Sequence, residues 1–222
     1  MPSLTVENYV KAIYQICLSA GGQAATGQVA ALLQVSPGTV TSMLKTLSES
    51  GLATYTPYEG VQLTHAGNSL ALRVLRRHRL IEQFLVKTLE LNWDEVHDEA
   101  EQLEHVVSDR LIDRIDEMLE RPEVDPHGDP IPGPEGTIAR RHFETLLTCP
   151  LHTRVTVRRV VDQDKAFLRF IESTDLKPGQ AIQVEARDAA ADSVSVRVGA
   201  AADRRITIGT RAASKLLVEV GG

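Results

Sequence analysis

Between Arg76 and Arg110 the chain reads RRHRLIEQFLVKTLELNWDEVHDEAEQLEHVVSDR, with imidazoles and carboxylates recurring at helical spacing. His78 and Glu82 are four residues apart, so a helix puts them on one face. His97, Glu101, Glu104 and His105 fall on one stripe of a second helix, after a turn near Leu91–Asp94. Imidazole nitrogens and carboxylate oxygens are ligand atoms for divalent first-row metals. Such a stripe would be a poor way to build an apolar core. A solvated face is the other reading, because residues 81–136 carry four Lys/Arg against seventeen Asp/Glu.

The elements that must position these residues can be read from the rest of the chain. Its 222 residues are enough for one or two ordinary cores. Net charge is −6 but uneven: +3 over residues 1–80, −13 over 81–136 and +4 over 137–222. An acidic middle between mildly basic ends suits a cation-binding core with an end facing nucleic acid, and also suits ordinary solubility. No run of 18 apolar residues is present, and MPSLTVENYV has neither the basic nor the apolar region of a secretory signal. Cys17 and Cys149 lie far apart in apolar contexts, which reads as two buried thiols in a reducing cytoplasm.

Thr5 to Ser19 places Val6, Val10, Ile13, Tyr14 and Cys17 at helical spacing, with Gly21-Gly22 as the stop. A short helix follows from Thr26 to Leu33, then a tight turn at Gln34-Val35. Ser36-Pro37 reads as an N-cap with proline in the first helical position. The third helix runs to about Ser50, with Val40, Met43, Leu44 and Leu47 inward and Gly51 as C-cap. This is the helix-turn-helix pattern. Gly38, Thr39, Thr41, Ser42, Lys45 and Thr46 point outward, mostly short and hydroxylated, so the helix can approach base edges and phosphates, and Ser36, Pro37, Gly38, Thr39, Ser42 and Lys45 are the candidate DNA contacts. A plain helical hairpin with a Ser/Thr-rich face is the bland reading. Leu52–Thr56 and Val61–Thr64 then form a hairpin, the wing of a winged helix, before a long helix capped by Thr64.

Past the second His/Glu helix, Val96, Leu103, Val106 and Val107 offer an apolar surface suited to a dimer contact or to packing on the first helix. Glu120–Gly136 holds five prolines and three glycines and reads as a linker or an ordered irregular loop. Thr137–Cys149 is expected to add a helix. From Leu151 the period changes to two, with five short strands around 155–157, 181–184, 194–198, 206–208 and 216–220 and a helix at Lys165–Glu172. That pattern suggests a small barrel. The expected class is α+β, with parts at 1–75, 76–136 and 137–222.

HRLIEQFL from His78, VHDEAEQLEHVVSD from Val96, DPHGDPIPG from Asp125 and the strand-rich end resemble the diphtheria-toxin-repressor and manganese-transport-regulator family over the whole chain. The resemblance implies an N-terminal winged helix-turn-helix, a helical metal-binding and dimerisation domain, and a C-terminal SH3-like, FeoA-like barrel. It implies a cytoplasmic homodimer that binds palindromic double-stranded operators when loaded with metal and usually represses metal-uptake genes. No membrane and no small-molecule substrate are expected.

The resemblance also places a primary metal site at Glu101, Glu104 and His105, with Asn8 reaching in from the first helix. Iron-sensing members have cysteine where Glu101 stands and methionine where Asn8 stands; manganese-sensing members have Glu and usually Asp. A second site would draw on His78, Glu82 and His97. In some manganese-type members the loop and barrel join it, here through Asp125 beside His127 and through Asp162 or Asp164. Oxygen ligands in place of sulfur favour Mn²⁺, with Fe²⁺ the alternative; Zn²⁺ or Co²⁺ can take the same ligands in vitro. An enzyme is not expected: no separate nucleophile, general base or glycine-rich phosphate loop accompanies the cluster. An enzyme or a metal buffer would also leave the winged helix unexplained.

Overall fold

A computed structural model describes residues 3–139, 141–199 and 204–221. The chain divides into two compact units. The first comprises residues up to His78, Leu103–Ser108 and Pro132–Ile138; the second comprises Arg79–Gln102, Asp109–Ile131 and residues from Ala139 on.

In the first unit α1 (Leu4–Ala20), α2 (Thr26–Leu33) and α3 (Pro37–Glu49) precede the hairpin β1 (Ala53–Thr56) and β2 (Gly60–Leu63). It also holds α4 (His65–Leu89) as far as His78. Local chemistry sets the ends. Ser3 accepts from the Val6 N–H to cap α1, and Gly21 closes it in the left-handed conformation. Ser36 accepts from the Thr39 N–H, with Pro37 at the start of α3. The α3 helix ends at a Ser50 cap, one residue before the expected Gly51. Thr64 accepts from the Gly67 N–H at the head of α4. The wing pairs Ala53–Thr56 with Gly60–Leu63, and Ala24 adds a bridge to Val61. Val10, Ile13, Val29, Val40, Leu44, Leu47, Val61 and Val74 fill the core. Gly67 has to be glycine, since a Cβ there would lie 2.0 Å from the Leu52 carbonyl oxygen.

The second unit holds the rest of α4, α5 (Val96–Leu103) as far as Gln102, and α6 (Asp109–Met118). A six-stranded antiparallel sheet follows, in the order β3-β8-β4-β5-β6-β7. Its strands are β3 (Glu144–Thr145), β4 (Arg154–Val160), β5 (Ala181–Asp188), β6 (Ser193–Val198), β7 (Arg204–Gly209) and β8 (Leu216–Val220). The helix α7 (Lys165–Thr174) lies between β4 and β5 in the chain, and α8 (Thr210–Ala213) between β7 and β8. In β4 the buried positions run Val155, Val157, then Val160; a bulge between Val157 and Arg159 changes which parity faces the core. Leu168 and Ile171 of α7 complete that core.

The fold corrects two expectations. Thr137–Cys149 is not a helix among its described residues (Arg140 lies outside them): β3 pairs with β8, and a turn buries Leu146 and Cys149 in the sheet core. Pairing with a strand some seventy residues away leaves no local periodicity to read. The second His/Glu helix also stops early. The Val106 and Val107 N–H groups both fold back on the Leu103 carbonyl, and α6 restarts at Asp109. A β-branched pair followed by Ser108-Asp109 weakens the helix and supplies the next start. No helix among the described residues is long and apolar enough to cross a membrane.

Candidate metal centres and the helix-turn-helix face

In the first unit the break after Leu103 turns Glu104 and His105 toward α1. Glu104 is fully buried. Its Oε2 lies 2.6 Å from His78 Nδ1, and its two oxygens accept from Lys11 Nζ at 3.0 and 2.8 Å. Burial raises the Glu104 carboxyl pKa, but His78 and Lys11 outweigh it, and the net shift is downward. His105 Nδ1 lies 2.7 Å from Glu7 Oε2. A carboxylate only accepts, so this bond puts a ring proton on Nδ1, and in the neutral ring Nε2 is the nitrogen with the lone pair. Nε2 is buried, without a hydrogen-bond partner, 3.2 Å from Glu104 Oε1. Asn8 Oδ1 is buried and unbonded as well. An imidazole lone pair beside a buried carboxylate, with an orphaned amide oxygen on α1, fits a divalent cation. It is a poor fit for a closed hydrogen-bond network.

In the second unit Glu82, Asp125 and His127 are all buried and offer ligand atoms within 4.8 Å of one another. His127 Nε2 lies 2.9 Å from the Trp93 carbonyl, which can only accept, so Nε2 donates and in the neutral ring Nδ1 is the nitrogen with the lone pair. That Nδ1 has no hydrogen-bond partner and lies 3.9 Å from Glu82 Oε2. Asp125 Oδ1 accepts from the N–H groups of His127 and Asp129 at 2.8 and 2.9 Å, while Oδ2 makes no hydrogen bond. Burial, then Asp129 and Glu82, push the Asp125 carboxyl well up, against Arg79. Crowded buried carboxylates beside an open imidazole nitrogen fit a cation here too. Gly128, at φ 87°, is required because a Cβ would lie 1.9 Å from the Arg158 carbonyl oxygen of β4.

The expected residues are therefore distributed unevenly. Glu104, His105, Asn8 and His78 lie in the first unit, whereas Glu101 lies in the second, its Oε1 3.8 Å from His97 Nε2. His97 Nδ1 lies 3.2 Å from Glu82 Oε1. Asp162 and Asp164 are not brought to the Glu82–Asp125–His127 group. Asp164 caps α7 through the Phe167 N–H, and Asp162 pairs with Lys215. Gln163 between them reaches Asp129 at 3.1 Å.

Sequence reasoning missed Glu7 and Lys11, both buried, and the supporting shell of Asp129, Arg79 and Arg159. Glu7 and Lys11 are an i, i+4 pair of opposite charge, the same signal as a solvated helix face. Neither thiol is part of these groups: Cys17 Sγ donates to Val61 O, and Cys149 packs in the sheet core. On α3, Ser36, Pro37, Gly38, Thr39, Ser42 and Lys45 are all exposed, while Val40, Leu44 and Leu47 are buried. Ser36 and Thr39 bond each other at 2.8 Å.

Fold and site together define a metal-binding winged-helix DNA-binding protein. Comparison with known proteins narrows this. The family model for the iron dependent repressor N-terminal DNA binding domain matches residues 1–61. The model for the iron dependent repressor metal binding and dimerisation domain matches 64–133, and that of the FeoA domain matches 144–220. The chain is 30% identical over 193 residues to the iron-dependent repressor IdeR of Mycobacterium leprae (strain TN), spanning 82% of this chain and 84% of that protein. It is similar to a manganese-dependent transcriptional repressor solved in complex with manganese, with TM-score 0.87 and 37% identity over 97% of this chain and 99% of that one. It is also similar to ScaR with bound Cd²⁺, with TM-score 0.80 and 32% identity over 99% and 100% of the two chains. The chain belongs to the diphtheria-toxin-repressor and manganese-transport-regulator family of metal-dependent, DNA-binding transcriptional repressors.

Proposed function

We propose that this chain is a manganese-responsive repressor that binds palindromic operators as a homodimer when loaded with metal. The observation that carries the metal assignment is the donor set. Both buried groups offer only nitrogen and oxygen, and the thiols are committed to the core and to Val61. Donors without thiolate or thioether remove the extra advantage of thiophilic metals and move the site toward Mn²⁺, with coordination geometry and metal availability in the cell supplying the selectivity that the affinity order does not. Fe²⁺ is the second reading, favoured by the likeness to an iron-dependent repressor. Dimerisation through the region of residues 64–133 follows the family domain, and exposed Leu111 and Met118 on α6 supply apolar surface.

Asn8 on α1, with Glu104 and His105, would hold the primary ion. Glu82, Asp125 and His127, with His97, would hold a second. A bound divalent cation supplies positive charge that draws these lone pairs together. With the ion bound, Asn8 and Glu104 would tie α1 to the turn after α5 and stiffen the winged-helix unit. Two recognition helices held about 34 Å apart meet successive major grooves. Any metal that favours this ordered state must raise DNA affinity, by reciprocity. Ser36, Pro37, Gly38, Thr39 and Ser42 would approach base edges and the backbone, and Lys45 a phosphate.

The test is fluorescence anisotropy of a labelled palindromic promoter fragment titrated with protein, under chelation and then with Mn²⁺, anaerobic Fe²⁺ or Zn²⁺. Mn²⁺-dependent binding that Glu104→Ala abolishes is expected. Binding indifferent to metal would overturn the co-repressor mechanism, and response to Fe²⁺ at lower free concentration would overturn the manganese assignment.

A further inference from the structure

Lys11 lies in an unusual place for a lysine. It is one turn beyond Glu7 and Asn8 on α1, only 5% exposed. Its ammonium straddles the carboxylate of Glu104, 2.8 and 3.0 Å from the two oxygens, and lies 3.2 Å from His78 Nδ1. His78 Nδ1 is in turn 2.6 Å from Glu104 Oε2. A lysine usually keeps its ammonium in water and buries only its stem. Here the charge itself is buried, on the group whose lone pairs a metal needs.

We propose that Lys11 is a tethered competitor for the metal at Glu104. This rests on the reading that Glu104 is a metal ligand. A small divalent cation sits about 2.0–2.3 Å from a carboxylate oxygen. With the ammonium in contact with both oxygens, two like charges would share one carboxylate in a low-dielectric site, so Lys11 must swing off Glu104 as the ion arrives. The exchange has two consequences. The metal-free protein keeps Glu104 neutralised, so its fold does not depend on metal to balance that charge. The ion has to displace a cation held at very high local concentration by its own backbone, which raises the free metal concentration at which the site fills. Lys11 thereby sets the threshold of the sensor, and Glu7 and Asn8 on the same helix support the incoming ion.

The test reads metal binding directly, without DNA. Mn²⁺ affinity of the full chain is measured by competition with a fluorescent chelator for the natural protein, Lys11→Met and Glu104→Gln. Methionine matches the length and removes the charge. Lys11→Met is expected to bind Mn²⁺ at least about tenfold tighter and to melt lower when chelated. Separately, acylation of Lys11 in the natural protein, read by peptide mass spectrometry, is expected to be slow under chelator and several-fold faster with Mn²⁺ as the ammonium is expelled. Folded Lys11→Met with equal or weaker affinity, or Lys11 acylation that Mn²⁺ leaves unchanged or slows, overturns the competition. If Glu104→Gln binds Mn²⁺ as the natural chain does, the ligand assignment itself falls and the inference with it. If Glu104→Gln loses Mn²⁺ and Lys11→Met gains nothing, only the role of Lys11 falls. The acylation result decides alone if Lys11→Met fails to fold.

Discussion

A buried carboxyl with two acidic neighbours costs the metal-free fold free energy, and Asp125 is in that position. Its pKa is held well up by burial, then by Asp129 and Glu82. A carboxyl raised in the folded state contributes stability below its unfolded value of 3.8, and that contribution is lost as pH rises through the folded value. At neutral pH, without metal, Asp125 therefore works against folding. Asn retains an oxygen for the His127 and Asp129 N–H groups, so Asp125→Asn should raise the stability of chelated protein at pH 7. The same change should shrink the rise in melting temperature on adding Mn²⁺. Scanning fluorimetry at pH 7 with and without metal checks both, and a lower melting temperature for chelated Asp125→Asn would contradict the account. Glu7 invites a second test. It fixes the His105 ring by its bond to Nδ1, and removing such a support costs about 10–100-fold in metal affinity. Glu7→Ala should lose that much in a Mn²⁺ titration while keeping its secondary structure; unchanged affinity would mean that His105 needs no orienting group.

Helix α3 separates its two jobs by face. Val40, Leu44 and Leu47 each bury a side chain contributing about 1.5–3 kcal/mol, leaving the opposite face free for DNA. Its Ser36 cap joins the two, since the same hydroxyl satisfies the Thr39 N–H and stands exposed at the helix start. Ser36→Ala should cost about 0.5–2 kcal/mol of stability, read from urea unfolding. Lys45 stands exposed, away from the buried face, so Lys45→Ala should leave stability alone, weaken binding across DNA sequences alike and reduce the salt slope by about 1. Loss of specificity without a change in salt slope would place Lys45 at a base. At the head of α4, Gly67→Ala drives a Cβ into the Leu52 carbonyl. A cost of about 2–3 kcal/mol is expected, and a neutral result would show that the wing shifts freely.

At the scale of the molecule, metal and fold are linked. A ligand at a hundred times its dissociation constant stabilises by about 2.7 kcal/mol per site, so two filled sites should show as a melting shift that Glu104→Ala and Asp125→Asn each reduce in part. A single variant that removes the whole shift would leave only one metal site.

Much of this protein was legible in its residues. Caps and periodicity are local, so α1, α2, α3, the wing and the strands at 155–157, 181–184, 194–198, 206–208 and 216–220 all stand where spacing puts them. The candidate ligands were legible as residue types for the same reason, as His and Glu stand where an apolar face would need Leu. What the tertiary structure alone decided is which charges meet. Glu7 and Lys11 read as a surface pair until the turn after Leu103 brings Glu104 and His105 onto them from some ninety residues away. The family resemblance offers Asp162 or Asp164 as a ligand, and only the fold shows that Asp164 caps α7 and Asp162 meets Lys215. Residue 144 reads as helix until β8 offers it a partner. Helix and turn signals act over a few residues, whereas burial and charge pairing depend on distances that exist only once the chain has closed on itself.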